Sequence, residues 1–214
     1  MRIVAGKYKR TPLKTIESND TRPTKDMVKE ALFSSINIYN DTRFLDLFAG
    51  SGAIGIEAIS RGAYKVVFND INKEACKVIK ENLSKIHEDA KVFNLPYEEC
   101  LFKLNENPFD YIYLDPPYAF NECDNLFKLI DKFHLLDNEG IIIVEVRKDV
   151  DLLENYDELK QFKVRKYGIS KLLYYKRWFI WLKLFIPEHL IRLLKDTLML
   201  LKEHQRLLKK FMLQ

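Results

Sequence analysis

Cysteine, glycine and histidine are all scarce in this 214-residue chain. The three cysteines, Cys76, Cys100 and Cys123, are odd in number, widely spaced and form no Cys-x-x-Cys pair, which argues against a disulfide framework and a structural zinc. The four histidines are equally dispersed, so no metal centre is expected. No apolar run approaches the ~18 residues that a membrane-spanning helix needs. The opening MRIVAGKYKR lacks the apolar core of a secretory signal, so a cytoplasmic protein is expected. Internal repeats and low-complexity linkers are missing too. What is present is 47% apolar residues, enough for a sizeable core, and 31% charged residues.

The net charge of +4 conceals an uneven distribution. Residues 1–29 carry eight Lys/Arg against three Asp/Glu, and residues 176–214 carry nine against three. The stretch between them is acidic, with 18 against 25. An acidic middle argues against a protein that coats nucleic acid indiscriminately. Basic ends fit an acidic partner, phosphate chains being the commonest, unless they are only solvated faces.

From residue 43 onward strands and helices alternate. FLDLF (44–48), VVFND (66–70), KVFNL (91–95), FDYIYLD (109–115) and GIIIVEV (140–146) read as strands. Helices are expected over 52–61, 73–86, 98–104 and 121–133. FKVRKYG and SKLLYYKR (162–168 and 170–177) read as a closing antiparallel pair. Ahead of them, residues 1–16 read as two short strands around Gly6-Lys7. Thr24 can cap a helix over 25–38 whose buried face carries Val28, Ala31, Leu32, Ser35 and Ile36. This order predicts an α/β fold with a mostly parallel sheet covered on both faces.

Gly50, Gly52 and Gly55 of DLFAGSGAIG stand between a strand and a helix, where a tight turn lets a ligand approach backbone N–H groups. By spacing the run is Gly-x-Gly-x-x-Gly, and Asp70 follows Gly50 by 20 residues, as in a dinucleotide site. No Lys-Ser/Thr pair follows, so it is not a Walker loop. Asp46 separates the remaining candidates. A carboxylate there repels a pyrophosphate but can pair with an amino group, which favours S-adenosylmethionine over a nicotinamide dinucleotide. Asp70 then meets the ribose hydroxyls.

After the fourth strand of this alternating run comes Asp115-Pro116-Pro117-Tyr118. Two prolines end a strand and stiffen the turn after it. They leave the Asp115 carboxylate and Pro116 carbonyl as acceptors beside the Tyr118 ring. An exocyclic amine on a planar base is a poor nucleophile because its lone pair is delocalised. Two acceptors on its N–H groups favour pyramidalisation and aim the pair at a methyl donor, while Tyr118 stacks on the base.

With these motifs in place the chain resembles the RsmD-type bacterial 16S rRNA guanine-N2 methyltransferases, among the Rossmann-like S-adenosylmethionine-dependent methyltransferases. The resemblance covers about residues 1–177. It rests on MRIVAGKYKRTPLKT, Thr21-Arg22-Pro23-Thr24 leading into VKEALFSSI, DLFAGSGAIGIEAISRGA and YLDPPY. It implies a seven-stranded Rossmann-like sheet with an N-terminal β-hairpin. It also implies that Asp46, Phe48, Gly50, Gly52, Asp70, Ile71 and Leu95 form the cofactor site, and that Asp115, Pro116, Pro117 and Tyr118 hold the guanine amine. Arg22 and Thr24 are placed at the active-site mouth. The run Asn94-Leu95-Pro96-Tyr97 departs from the family, since Pro96 offers no side-chain hydrogen bond to an adenine.

Lys7, Lys9, Arg10, Lys14 and Arg22 gather on the N-terminal segment, an expected contact for the phosphates of 16S rRNA or of a small-subunit assembly intermediate. The target base must leave its stack to reach Asp115. Competing readings are a DNA adenine-N6 methyltransferase, a nicotinamide oxidoreductase and a non-catalytic RNA-binding or assembly protein. Three segments are expected: hairpin and helix (1–40), methyltransferase domain (41–177) and tail (178–214). Ile191, Leu194, Leu198, Leu201, Leu208 and Met212 give the tail an amphipathic helix over 188–213. The tail is expected to pack on its own domain or on a second copy, with a membrane-surface helix, a contact with ribosomal components or a poorly ordered tail as the alternatives.

Overall fold

The computed structural model describes residues 1–16, 22–104, 108–117 and 122–178, with backbone alone at 22–25. Residues Met1–Arg177 form one compact unit and Trp178–Gln214 a second. Only Trp178 of the second is described, so the expected tail helix lies outside the described residues.

The strands are β1 (Arg43–Asp46), β2 (Lys65–Asn69), β3 (Lys91–Phe93), β4 (Phe109–Leu114), β5 (Leu136–Arg147), β6 (Asn155–Tyr156), β7 (Leu159–Tyr167) and β8 (Ser170–Arg177). The helices are α1 (Arg22–Ser34), α2 (Ala53–Ser60), α3 (Lys73–Lys85), α4 (Tyr97–Lys103) and α5 (Cys123–Lys132). One sheet runs β3-β2-β1-β4-β5-β8-β7-β6. β1 to β5 pair in parallel, and β8, β7 and β6 close the sheet in antiparallel fashion.

The parallel strands are apolar on both faces because helices cover both. One core joins Leu45, Leu47, Ile112, Leu114, Ile142 and Val144 to Leu101 of α4 and Leu126, Phe127 and Ile130 of α5. The other joins Phe44, Phe68, Tyr113, Ile143 and Tyr174 to Val28 and Leu32 of α1, Ile56 of α2 and Ile79 of α3. The cysteines are buried free thiols.

Two expectations need correcting. The sheet has eight strands, the additional one being the two-residue β6 on β7. Its Asn155-Tyr156-Asp157 sequence is too short to show any alternation. The two expected N-terminal strands reduce to one antiparallel bridge, Arg2 to Pro12. The hairpin itself is kept by backbone bonds from Ile3 N–H to Thr11 O (3.0 Å), Arg10 N–H to Ile3 O (2.9 Å) and Leu13 N–H to Met1 O (2.9 Å), and α2 holds it in place. Glu57, fully buried in α2, accepts from the N–H groups of Val4 (2.8 Å) and Ala5 (2.9 Å). Ser60 binds the next turn, accepting from Lys7 N–H (2.7 Å) and donating from its hydroxyl to Ala5 O (2.6 Å).

Candidate active site

The strand order changes direction between β1 and β4, whose outer neighbours are β2 and β5. Crossover loops leave such a point on opposite sides, opening a crevice at the carboxyl ends of the strands. The glycine loop leaves β1 there, and Asp115 to Pro117 leave β4. Asp46 pairs with both Phe68 and Tyr113, and Asn69 pairs with Phe93. Continued two residues outward, this register brings Phe48, Asp70 and Asp115 to one level, with Asn94 beside Asp70. The sheet thus delivers residues far apart in sequence to a single edge.

A cleft at this edge is lined by Asp46, Phe48, Gly50, Ser51, Tyr113 and Asp115, with Met1, Lys29 and Glu145 among its remaining walls. Gly50 and Gly52 both have positive φ (53° and 76°), a region that glycine enters without a steric penalty. A Cβ on Gly50 would meet no atom within 4 Å, so the loop faces open space there. Gly52 stands at the start of α2 with no side-chain cap, against Ile79. A Cβ on Gly55 would come 2.3 Å from the Phe68 ring, so this glycine serves the packing of α2 on β2.

Asp46 is 1% exposed and accepts one hydrogen bond, from Gly55 N–H at 3.0 Å. Burial pushes its carboxyl up to about 7, with the Gly55 bond pulling down and the nearby Asp70 charge pushing further up. Among the described residues no Lys or Arg forms an ion pair with Asp46. A buried carboxylate that borders a cleft and has no cation partner among the described residues has the chemistry to accept an ammonium group.

Asp70 accepts from Gly50 N–H and Asn72 N–H, both at 2.8 Å. It therefore braces the glycine loop against the turn into α3. Asn94 supports that turn by donating to the carbonyls of Asp70 (3.0 Å) and Ile71 (2.8 Å). Ile71 is 73% exposed, an apolar surface left bare at this edge, while Leu95 is half-buried against the core. Pro96 is the N-cap of α4.

Asp115 is exposed, with Pro116 half-buried and Pro117 exposed after it. Tyr118 lies outside the described residues. Arg22 and Thr24 fall in the first turn of α1, and their side chains are outside the description. Lys7, Lys9 and Arg10 are exposed, on the turn that rests against the C-terminal end of α2. Eight helical residues put that turn about 12 Å from the glycine loop. Lys7 pairs with Glu88 (3.2 Å), and Lys14 pairs with Glu81 (2.6 Å). Lys7, Lys9 and Arg10 therefore stand at the opposite end of α2 from the cleft, whereas Lys14 lies on the glycine-loop side, since Asn82 donates to both the Lys14 and the Ser51 carbonyls.

Three cleft residues escaped the sequence reading. Lys29 is 1% exposed, donates to the Arg2 carbonyl and lies 3.6 Å from Glu57. Burial lowers its pKa, against the pull of Glu57 and Asp26. Tyr113 is buried on β4, and its hydroxyl donates to Glu145 Oε2 at 2.5 Å. Burial, then the carboxylates of Glu145 and Asp115, hold its pKa well above the ordinary phenol value, so it stays a donor. The available signal was a lone charge in an otherwise apolar run, seen at Glu145 in GIIIVEV.

The family model described as conserved hypothetical protein 95 matches residues 1–176. The chain is 37% identical over 168 residues to the Haemophilus influenzae protein named ribosomal RNA small subunit methyltransferase D, covering 75% of this chain and 87% of that one. A hypothetical protein of Thermus thermophilus superposes with a TM-score of 0.70 at 30% identity, over 82% of this chain and 99% of that chain. SMU.776, a structure complexed with SAH, shares the fold at a TM-score of 0.59 and 15% identity, over 73% of this chain and 50% of that chain. A match spanning nearly all of Met1–Arg177, with glycine loop and Asp-Pro-Pro turn facing one cleft, places this chain in the RsmD-type methyltransferase family.

Proposed function

We propose that the protein methylates the exocyclic N2 amine of a guanine in 16S rRNA, with S-adenosylmethionine as methyl donor, in the cytoplasm where small subunits assemble. The observation that carries this reading is the meeting of Asp46, Gly50 and Asp115 on one cleft. The name of the Haemophilus influenzae relative supports ribosomal RNA as the substrate. The SAH in the SMU.776 structure supports the donor.

The residues present suit that donor. Asp46 offers a buried carboxylate to its ammonium, the open face of Gly50 admits its methionine part, and Phe48, Ile71 and Leu95 offer apolar surface to its base. When bound, S-adenosylmethionine would supply a methyl group on positive sulfur; in the transfer the amine's lone pair would form the N–C bond as the C–S bond broke toward sulfur, and the amine would then give up a proton. Asp115 and the Pro116 carbonyl accept from the two amine hydrogens and aim the lone pair. Asp115 also takes up the departing proton. It need not be a strong base beforehand, because the methylated amine is acidic. Positioning supplies most of the rate, since the donor is already activated. The Tyr118 ring stacks on the base, and Lys7, Lys9, Arg10, Arg22 and Thr24 hold the flanking phosphates.

Asp115→Ala is expected to abolish transfer to unmethylated 16S rRNA or small-subunit particles while calorimetry still records donor binding. Asp115→Asn keeps one acceptor and loses less. An Asp115→Ala enzyme with full activity refutes the mechanism.

A further inference from the structure

We infer that Glu145 reads the target base, accepting the ring N1–H of guanine beside the amine that Asp115 holds; this rests on the guanine-N2 reading above. Leu114 pairs with Val144 across β4 and β5, so the next pair outward is Asp115 and Glu145. Neighbouring strands stand about 4.8 Å apart, and both side chains line the cleft. Alternation puts Glu145 on the same face as Ile143, and Asp115 on the same face as Tyr113.

Tyr113 fixes Glu145 in place. Its hydroxyl donates to Oε2, and among the described residues Oε1 has no protein partner. Neither is there a Lys or Arg in ion-pair range of Glu145 among those residues, and its β8 neighbour is Leu172. A half-buried carboxylate held by a neutral donor is costly to keep in a strand whose neighbouring positions are isoleucine and valine. An apolar residue would serve packing better, so the cost points to a ligand.

The ligand chemistry follows from the two acceptors. The Watson–Crick edge of guanine carries N1–H and the N2 amine side by side, a donor–donor pair. Adenine and cytosine present a ring nitrogen lone pair beside their amine, which a second carboxylate repels. A site built around a substrate N–H rejects analogues lacking it far more strongly than an apolar pocket rejects shape. Asp115 thus holds the reacting amine and Glu145 selects the base that bears it.

The test begins with the full-length enzyme on unmethylated 16S rRNA and small-subunit particles, with mass spectrometry locating the modified nucleotide. Modification of any atom other than a guanine N2 overturns the underlying reading before Glu145 is tested. The located guanine is then replaced by 2-aminopurine, which keeps the amine but has no N1–H. The wild-type enzyme is expected to prefer guanine in kcat/KM by about tenfold or more. Wild type that does not distinguish the two bases overturns the inference without any variant.

Glu145→Gln keeps the volume and an acceptor for Tyr113, and adds an NH₂ that can donate to an unprotonated ring nitrogen. It is expected to lose about tenfold or more on guanine, to keep its activity on 2-aminopurine, and so to flatten or invert the preference. Donor affinity by calorimetry should stay within about twofold, which a disrupted fold would not allow. An unchanged preference, or equal loss on both bases with donor affinity intact, overturns the inference. Tyr113→Phe frees the carboxylate without removing it and should raise KM for the guanine particle while keeping the preference. Wild-type KM in that variant overturns the positioning role of Tyr113.

Discussion

Replacing Asp46 by Asn should stabilise the empty protein while weakening its grip on the donor, and pH should set the size of the first effect. The carboxyl is 1% exposed and pushed from its ordinary 3.8 up to about 7, chiefly by burial. Because the native value lies above the unfolded one, the unfolded chain ionises first as pH rises. Stability from this group is therefore intact below about pH 4 and is lost progressively as pH climbs to 7. A shift of about three units at 1.36 kcal/mol each makes that loss about 4 kcal/mol. The amide in the Asp46→Asn variant does not ionise and can still accept from Gly55 N–H, but burying its NH₂ costs about 1–3 kcal/mol. The expected net gain at pH 8 is about 1–3 kcal/mol, or roughly 2–4 °C in Tm per kcal/mol at this chain length. Near pH 4 the gain should vanish or reverse. Denaturant melts of both proteins without donor, from pH 4.5 to 8.5, measure the difference with other titrations cancelled. Donor affinity should fall about tenfold or more, as a charged partner is lost. If Asp46→Asn destabilises equally at every pH, the carboxylate is not penalised by burial and the ammonium-receptor argument fails.

Three further outcomes test the surroundings. Gly55→Ala drives a Cβ to 2.3 Å from the Phe68 ring, so it should destabilise by about 1–3 kcal/mol despite better helix propensity, read from thermal melts. Glu57→Ala strips the acceptor from Val4 and Ala5 and leaves Lys29 and Arg61 without their shared carboxylate; a loss of about 3–5 kcal/mol is expected in urea. Charge reversal at Lys9 and Arg10 should weaken rRNA binding with a shallower salt dependence and leave donor affinity unchanged, while equal loss of both counts against a separate phosphate surface.

Much of this was legible because the signals were local. The glycine loop and the diproline turn announce themselves by backbone needs, and their strands are apolar on both faces, so β1 to β4 and α2 to α5 fall within a few residues of their expected bounds. The sequence pattern predicts the fifth strand from Gly140, yet β5 begins at Leu136 and runs through the polar Asp137-Asn138-Glu139, where Asp137 accepts from Glu139 N–H. What resisted reading was anything fixed by register between strands. Glu145 and Asp115 are 30 residues apart, and only the pairing of Leu114 with Val144 makes them neighbours. Lys29 resembles any solvated helix position until the Arg2 carbonyl and Glu57 close over it.

The same arrangement explains how a polyanion is handled by an acidic cleft. Asp46, Asp115 and Glu145 all line it, and Lys29 beside them is engaged by the Arg2 carbonyl and Glu57, so a phosphate entering is repelled, while a cation or a row of N–H donors is welcomed. The exposed cations Lys7, Lys9 and Arg10 stand about 12 Å away, beyond the far end of α2. At 0.15 M salt the Debye length is about 8 Å, so the two sets of charges barely feel one another. On the function proposed above, RNA would be held by its backbone beyond that end of α2, and only a base turned out of its stack would meet the carboxylates. Raising salt should then weaken RNA capture steeply while leaving the guanine preference of captured RNA nearly constant. A preference that fell in step with capture would mean that these cations and the cleft read the same feature.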